Sequence, residues 1–295
     1  MHTGFIDLHV HSNSSDGKYS VKEIFDMLHR NNVSVISFTE HYNLGSYRMA
    51  RMLALDNIEV IPGIEIGTSL EEFDLSNRHV CHIAAYYPSY SVCRILDEYE
   101  INRDICVKKT LEKLRKQINI SYSIVKKYAR NINSVGRFDI AIALSKLGFA
   151  SDPISAYGEY LDRGKAYYVE RKKQTPSELI RNIRLVHGVP VLVHPKSLKL
   201  NYESLFNLLL VLKKDGLEGL EVYNPHNTIE QRNTFLDMAK ELELVTTVGS
   251  DFHGFVGQNV EIGLGIDGNL KVDDYNIITE IKRRQHMIID GSNKK

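Results

Sequence analysis

Phe5-Ile6-Asp7-Leu8-His9-Val10-His11-Ser12 is the first apolar stretch of the chain. Phe5 to Val10 reads as a strand, and because strand side chains alternate between faces, His9 and His11 point the same way. Two imidazoles sharing a face make half of a metal site. Outward from this stretch, the first ninety residues alternate short apolar strands with helical segments. Ser20 to Asn31 opens with the capping-box pattern Ser-Val-Lys-Glu and sets Ile24, Phe25 and Leu28 at helical spacing. Val33 to Thr39, Glu59 to Ile66 and Val80 to Tyr87 read as further strands.

From about Asp97 to Lys173 the rhythm breaks into a mainly helical pattern. Between Arg103 and Arg137 ten Lys and Arg residues face only two Asp and Glu. A solvated helical surface is the plain reading of that excess; a basic lid recruiting an anionic substrate is the functional one. Strands resume at Val189–His194, Gly219–Tyr223 and Leu244–Ser250, with amphipathic helices at Asn201–Lys214 and Thr228–Leu242 between them. About seven parallel strands in two runs, with polar residues gathered at their C-terminal ends, predict an α/β barrel. The expected division is a barrel over residues 1–96 and 174–290, a helical insertion over 97–173 covering the active site, and a disordered tail over 291–295.

Composition narrows the class. The 295 residues are 43% hydrophobic and 25% charged with zero formal charge, so overall charge offers no reason to propose a nucleic-acid or membrane surface. There is no 18-residue apolar run and no basic-then-apolar leader pattern. Cys81, Cys93 and Cys106 match neither a zinc finger nor a disulfide framework, which predicts free thiols in a cytoplasmic protein. No obligate protein partner is evident.

Ligand-type residues recur at strand ends. His9 and His11 are followed by Asp16; later ends carry His41, Glu65, His82, His194-Pro195 and Asp251-Phe252-His253. Singly, each is weak, because a strand-end His is more often a hydrogen-bonded structural residue and an Asp more often a cap. Together they include six of the chain's twelve histidines, and imidazole mixed with carboxylate suits zinc, manganese or iron. Nine such ligands exceed what one tetrahedral ion can use and imply two or three ions with a bridging carboxylate.

Six motifs in order carry a resemblance. They are Asp-Leu-His-Val-His-Ser at 7–12, Thr-Glu-His at 39–41, Pro-Gly-Ile-Glu-Ile at 62–66, Cys-His-Ile at 81–83, Val-Leu-Val-His-Pro at 191–195 and Gly-Ser-Asp-Phe-His-Gly at 249–254. Over nearly its whole length the chain resembles the PHP (polymerase and histidinol phosphatase) superfamily of metal-dependent phosphoesterases. The resemblance implies a distorted (βα)7 barrel of PHP type with an inserted helical subdomain and a cluster of two or three metals. One ion would take His9, His11, Glu65 and Asp251; a second would share Glu65 and add His82 and His194; a third would use Asp16, His41 and His253. His79 rivals His82, whose strand context fits better. His2, His29, His187 and His286 fit no ligand position, and His226 reads as a loop residue near the mouth.

A closer likeness runs through Val135-Gly136-Arg137-Phe138-Asp139-Ile140-Ala141, Tyr160 to Val169, and Gly219-Leu220-Glu221-Val222-Tyr223. These resemble a PHP subgroup of nucleoside mono- and bisphosphate phosphatases and 5′–3′ exoribonucleases. Two departures stand out. Phe138-Asp139 replaces Pro-His, putting an acid where an imidazole would meet substrate, and Glu40-His41-Tyr42-Asn43 replaces the commoner Asp-His-Asp while keeping His41.

The expected function is hydrolysis of a phosphate ester on a small anionic substrate, AMP, a 3′,5′-bisphosphate or a short RNA 5′ end, by a metal-bridged hydroxide. Arg137 and Lys165 are the candidates to bind the substrate phosphate, and Asp251 or His253 to pass a proton to the leaving alcohol. Histidinol-phosphate phosphatase is the alternative, with Asp139 supplying acid for the amine. From other classes come a non-catalytic metal-binding regulatory module and an amidohydrolase.

Overall fold

In the computed structural model, β1 (Phe5–Val10) lies in a seven-stranded mixed sheet with β2 (Val33–Phe38), β3 (Glu59–Ser69), β4 (Val80–Tyr86), β5 (Val189–Leu192), β6 (Gly219–Tyr223) and β7 (Val245–Val248). The structure describes residues 3–54, 57–70, 73, 80–129, 132, 135–171, 173–255, 257 and 259–293. His2 and His79 lie outside the described residues. Spatial order follows chain order, and the sheet curls into a half-barrel.

Pairing is parallel for β1–β2, β2–β3, β5–β6 and β6–β7, but β4 runs antiparallel to both β3 and β5. The all-parallel expectation fails at this one strand. Only residues 70–79 join β3 to β4, too short a span for the helical crossover a parallel return requires. The two edges are stitched just beyond β7, where Asp251 donates its backbone N–H to the His9 carbonyl (2.9 Å) and His11 donates to the Phe252 carbonyl (3.0 Å).

Helices cover the sheet through apolar faces. Ser20 caps α1 (Val21–Arg30), with Glu23 returning a bond to the Ser20 amide, and Val21, Ile24, Phe25 and Leu28 pack on Val10, Ile36 and Phe38. Between β2 and β3 runs α2 (Gly45–Leu53). Ile6 and Leu8 of β1, with Val35, Ile61 and Val191, pack on Ile277, Ile278, Ile281 and Ile288.

The chain divides into two compact units, one of Met1–Cys93 with Lys173–Lys295 and one of Arg94–Lys172. Most of α3 (Val92–Leu114), then α4 (Tyr122–Tyr128), α5 (Arg137–Lys146) and the short α6 (Pro153–Ala156), build the second unit. Its own core includes Leu111, Leu114, Val125, Ile140 and Leu144. Lys108, Lys109, Lys113, Arg115, Lys116, Lys126 and Lys127 are exposed there, so much of the basic excess is a solvated surface of the helical unit. The first unit resumes with α7 (Pro176–Leu185), α8 (Tyr202–Asp215), α9 (Ile229–Glu241) and α10 (Asn276–Asn293). The expected tail is corrected here: 291–293 continue α10, because buried Ile288 pins its last turns and its carbonyl accepts from Ser292 Oγ. Residues 294 and 295 lie outside the described residues.

No helix among the described residues is long and apolar enough to cross a membrane, and the three cysteines are free. Ile281 is fully buried between α10 and the sheet. Ile281→Ala should cost about 2–5 kcal/mol of stability, measurable by denaturant unfolding. A loss under about 0.5 kcal/mol would place that helix outside the core.

Candidate metal centre

Six strand ends meet at one place. His9 and His11 come from the end of β1, His41 from the end of β2, Glu65 from mid-β3, His82 from β4, and His194 from just past β5. Asp251 and His253 follow β7, and Asp16 sits in the loop after β1. All nine residues expected from the sequence as ligands come together in the first unit.

Glu65, only 1% exposed, is the hub. Its Oε2 lies 3.5 Å from His9 Nε2, 3.3 Å from His11 Nε2 and 3.2 Å from His41 Nδ1; its Oε1 lies 3.1 Å from His82 Nδ1 and 2.9 Å from His194 Nε2. Asp251 Oδ1 is 3.4 Å from Nε2 of both His9 and His11. Asp16 faces His41 Nε2 at 3.4 Å, His253 Nε2 at 3.3 Å and His11 Nδ1 at 3.6 Å.

These spacings test whether ions fit. Ligand atoms about 2.0–2.1 Å from one tetrahedral ion lie about 3.3–3.4 Å apart, which is the spacing seen. His9 Nε2, His11 Nε2 and His41 Nδ1 are buried without a hydrogen-bond partner, an arrangement that is costly unless something else binds them. The donor set fits divalent ions. Three groupings satisfy common-ion geometry: His9, His11 and Asp251; His9, Glu65 and His194; and His11, Asp16, His41 and His253. The expected partition shifts slightly, since His11 also faces the third group and His9 the second.

Charge in the metal-free cluster is strongly coupled. Burial opposes protonation of His9, but Glu221, Glu65 and Asp251 outweigh it and raise its pKa well above the usual value. His11 is likewise disfavoured as a cation by burial, yet the adjacent carboxylates of Asp251 and Glu65 push it up to about 10. His194 is raised, against its burial, by Glu65. Burial favours the neutral form of Glu65, Asp16 and Asp251, but the surrounding imidazoles hold all three carboxyls below their usual range. For His82 burial wins over Glu65 and pulls the imidazole down to about 4.

Three buried carboxylates outside the expected ligand set support the cluster. Glu221 accepts from His9 Nδ1 (2.8 Å) and from the His194 backbone N–H (2.7 Å), which turns His9 Nε2 toward Glu65. Glu40 accepts from the Ser12 amide (2.9 Å) and from the hydroxyls of Ser12, Ser15 and Ser46, tying down the loop that carries Asp16. Asp7 accepts from the amides of His9, Ser250 and Gly263, and burial pushes its carboxyl up to about 6. The available signal for Asp7 was its place two residues before His9 on the same strand face, and for Glu221 its place between two apolar residues in β6. Gly249 makes the His9–Glu221 bond possible, since a Cβ there would lie 2.2 Å from His9 Cβ and 2.4 Å from Glu221 Oε1. His194 (φ 32°) and Asp251 (φ 54°) adopt left-handed backbone, a strain of the kind concentrated at functional sites.

The remaining candidates lie in the helical unit. Arg137 opens α5; its guanidinium donates to the Val169 carbonyl and sits 4.4 Å from the centre of the Tyr168 ring. Lys165 is exposed in a turn. Asp139 is corrected as an acidic pocket for an amine: it is buried, and its Oδ2 accepts from the Gly136 amide (2.7 Å), capping α5. The cap consumes the acid that the histidinol-phosphate alternative needed.

The cluster opens into a cavity of about 710 Å³ whose lining includes His41, Glu65, His82, His194, Asp251 and His253. A model of the family described as PHP domain matches residues 7–174, more than half of the chain. The chain belongs to the PHP family. It is 27% identical over 88% of its length to a 5′-3′ exoribonuclease from Haemophilus influenzae, covering 94% of that protein. It is 24% identical over 84% of its length to a 3′,5′-nucleoside bisphosphate phosphatase from Chromobacterium violaceum, covering 87% of that protein. Among solved structures, a protein from Bifidobacterium adolescentis assigned as a metal-dependent phosphoesterase superposes with a TM-score of 0.71 at 24% identity, covering 95% of this chain and 96% of its own. This PHP protein is a phosphoric ester hydrolase with a metal-binding cluster.

Two outcomes follow. Glu221→Gln should weaken metal binding about 10–100-fold in a metal titration while the protein stays folded; unchanged affinity would remove Glu221 from the support of His9. His9, His11 and His194 hold protons more tightly folded than unfolded, so their stabilisation of the metal-free protein is complete below about pH 6.5 and is lost as pH rises through their raised values, about 10 for His11. Calorimetry should show the metal-free melting temperature falling across that window and bound manganese relieving the fall. A metal-free protein whose melting temperature rises across the window would contradict it.

Proposed function

We propose that the protein hydrolyses a phosphate ester of a nucleotide or of the 5′ end of a short RNA, using two or three divalent ions held by the nine clustered ligands. The observation carrying this reading is the set of five imidazoles and three carboxylates at common-ion spacing, with His82 Nδ1 3.1 Å from Glu65, of which six of the nine residues line a nucleotide-sized cavity. The names of the two relatives, one acting on RNA and one on nucleoside bisphosphates, support the substrate class.

His9, His11, Glu65 and Asp251 would hold one ion; Glu65, His82 and His194 a second; Asp16, His41 and His253 a third. Manganese, zinc and iron all suit the donors. Bound ions supply a hydroxide nucleophile near neutral pH and neutralise the phosphoryl oxygens. The chain's own groups do the rest. Asp251 and His253 line the cavity, and one of them would pass a proton to the leaving alcohol. Glu221, Glu40 and Asp7 keep the ligands aimed, so little reorganisation accompanies the reaction. Arg137 and Lys165 are retained from the motif as phosphate contacts. The free thiols accord with action in the cytoplasm.

A phosphate-release screen should find turnover of AMP, adenosine 3′,5′-bisphosphate or a short 5′-phosphorylated RNA with at least one of manganese, zinc and iron. Histidinol phosphate serves as the contrast. Glu65→Gln should lower that turnover by about 100-fold or more, and Arg137→Ala should raise KM or lower kcat on the same substrate. A flat response over the whole panel overturns the reading.

A further inference from the structure

Beside the ligand residues, the cavity is lined by Lys196, Ser197, Lys199, Asn224, His226 and Asn227, and Ser197 Oγ lies 2.9 Å from Nδ1 of the ligand candidate His194. The lysines come from the turn after β5. Pro195–Leu198 is a single 3-10 turn, bracketed by left-handed His194 (φ 32°) and Lys199 (φ 52°). Lys196 lies within the turn and Lys199 immediately follows it. Both line the cavity, and neither forms an ion pair with a carboxylate among the described residues.

The turn is held rather than loose. Lys196 Nζ donates to the His226 carbonyl, which parks the ammonium on the wall with donors to spare. Asn224 bridges, donating to Glu221 Oε2 (3.2 Å) and accepting from the His226 amide (3.0 Å); Asn227 donates to the Val222 carbonyl (2.9 Å). Glu221 also accepts from the His194 backbone N–H, so one carboxylate sets both the ligand cluster and the start of the lysine turn.

A phosphoryl group at the ions would fill only part of about 710 Å³. Two exposed ammonium groups on the lining of the same cavity, neither paired to a carboxylate among the described residues, suit a second anion on the same molecule. We infer that Lys196 and Lys199 form a second-phosphate site, so that the enzyme favours nucleotides whose second phosphate lies one sugar away from the phosphate at the metal cluster. That phosphate is either the terminal monoester of a nucleoside 3′,5′-bisphosphate or the first diester of an oligonucleotide. The inference rests on the phosphoesterase reading above and adds to it the residues that choose the substrate.

The test compares metal-loaded wild-type and K196A/K199A proteins on AMP, adenosine 3′,5′-bisphosphate and the 5′-phosphorylated dinucleotide pApA. The double variant should lose about tenfold or more in kcat/KM, mostly through KM, on at least one substrate with two phosphates. That loss should exceed any loss on AMP by about tenfold, and K196R/K199R should recover most of it. Whether it falls on the bisphosphate or on pApA tells monoester from diester. Equal losses on all three substrates, or no loss on either two-phosphate substrate, overturn the inference. Calorimetric binding of adenosine 3′,5′-bisphosphate against AMP decides the same point if wild type turns over nothing: the advantage of the bisphosphate over AMP must vanish in K196A/K199A. No turnover with that advantage intact in wild type and lost in the variant would sink the phosphoesterase reading alone.

Discussion

One buried carboxylate facing five imidazoles organises this molecule. Glu65 is 1% exposed and lies within 3.5 Å of nitrogens from His9, His11, His41, His82 and His194. A lone buried carboxylate is expensive, and five neutral imidazoles do not by themselves repay its desolvation. Protons can repay part of it in the metal-free protein, and divalent ions all of it. Folding and metal binding are therefore linked, because the strand ends converge on charge that only a cation satisfies.

Holding that convergence requires a second layer of buried acids. Glu221 sets the ring of His9 and the backbone of His194 together, Glu40 gathers three serine hydroxyls beneath the Asp16 loop, and Asp7 ties β1 to Ser250 and Gly263. Each sits where a substitution by size alone would fail. Gly249 is the clearest case, since any Cβ would strike both His9 and Glu221. The left-handed backbone at His194 and Asp251 is sustained by the same network, and it aims both side chains at the cluster.

Much of this is legible in the order of residues. Strands and helices through β1, α1, β2 and β3 follow from apolar alternation and from the Ser20–Glu23 box, because local periodicity and capping chemistry survive in the fold. The direction of β4 is not legible, for its apolar content suits either orientation; what decides is the short connection after Ser69 and the partners on both sides. The end of the chain reads as polar, yet Ile288 anchors α10 into its final turns. Asp139 shows the same limit on chemistry. By sequence it is an acid in a substrate motif, and in space it is a helix cap.

His9-Val10-His11 determined by itself that two imidazoles share a face, because strand side chains alternate whatever surrounds them. The residue types at later strand ends suit divalent ions, and the ordered motifs they belong to carry the PHP family and its class of reaction. Tertiary structure alone decided how the nine ligands group, since distances between His11 and Asp16 or His9 and His194 are set by the curl of the sheet. It alone recruited Glu221, Glu40 and Asp7, and it alone brought the turn carrying Lys196 and Lys199 to the cavity that the cluster lines. Spacing along a strand is a covalent property; spacing between strands belongs to packing, and only packing brings these groups together.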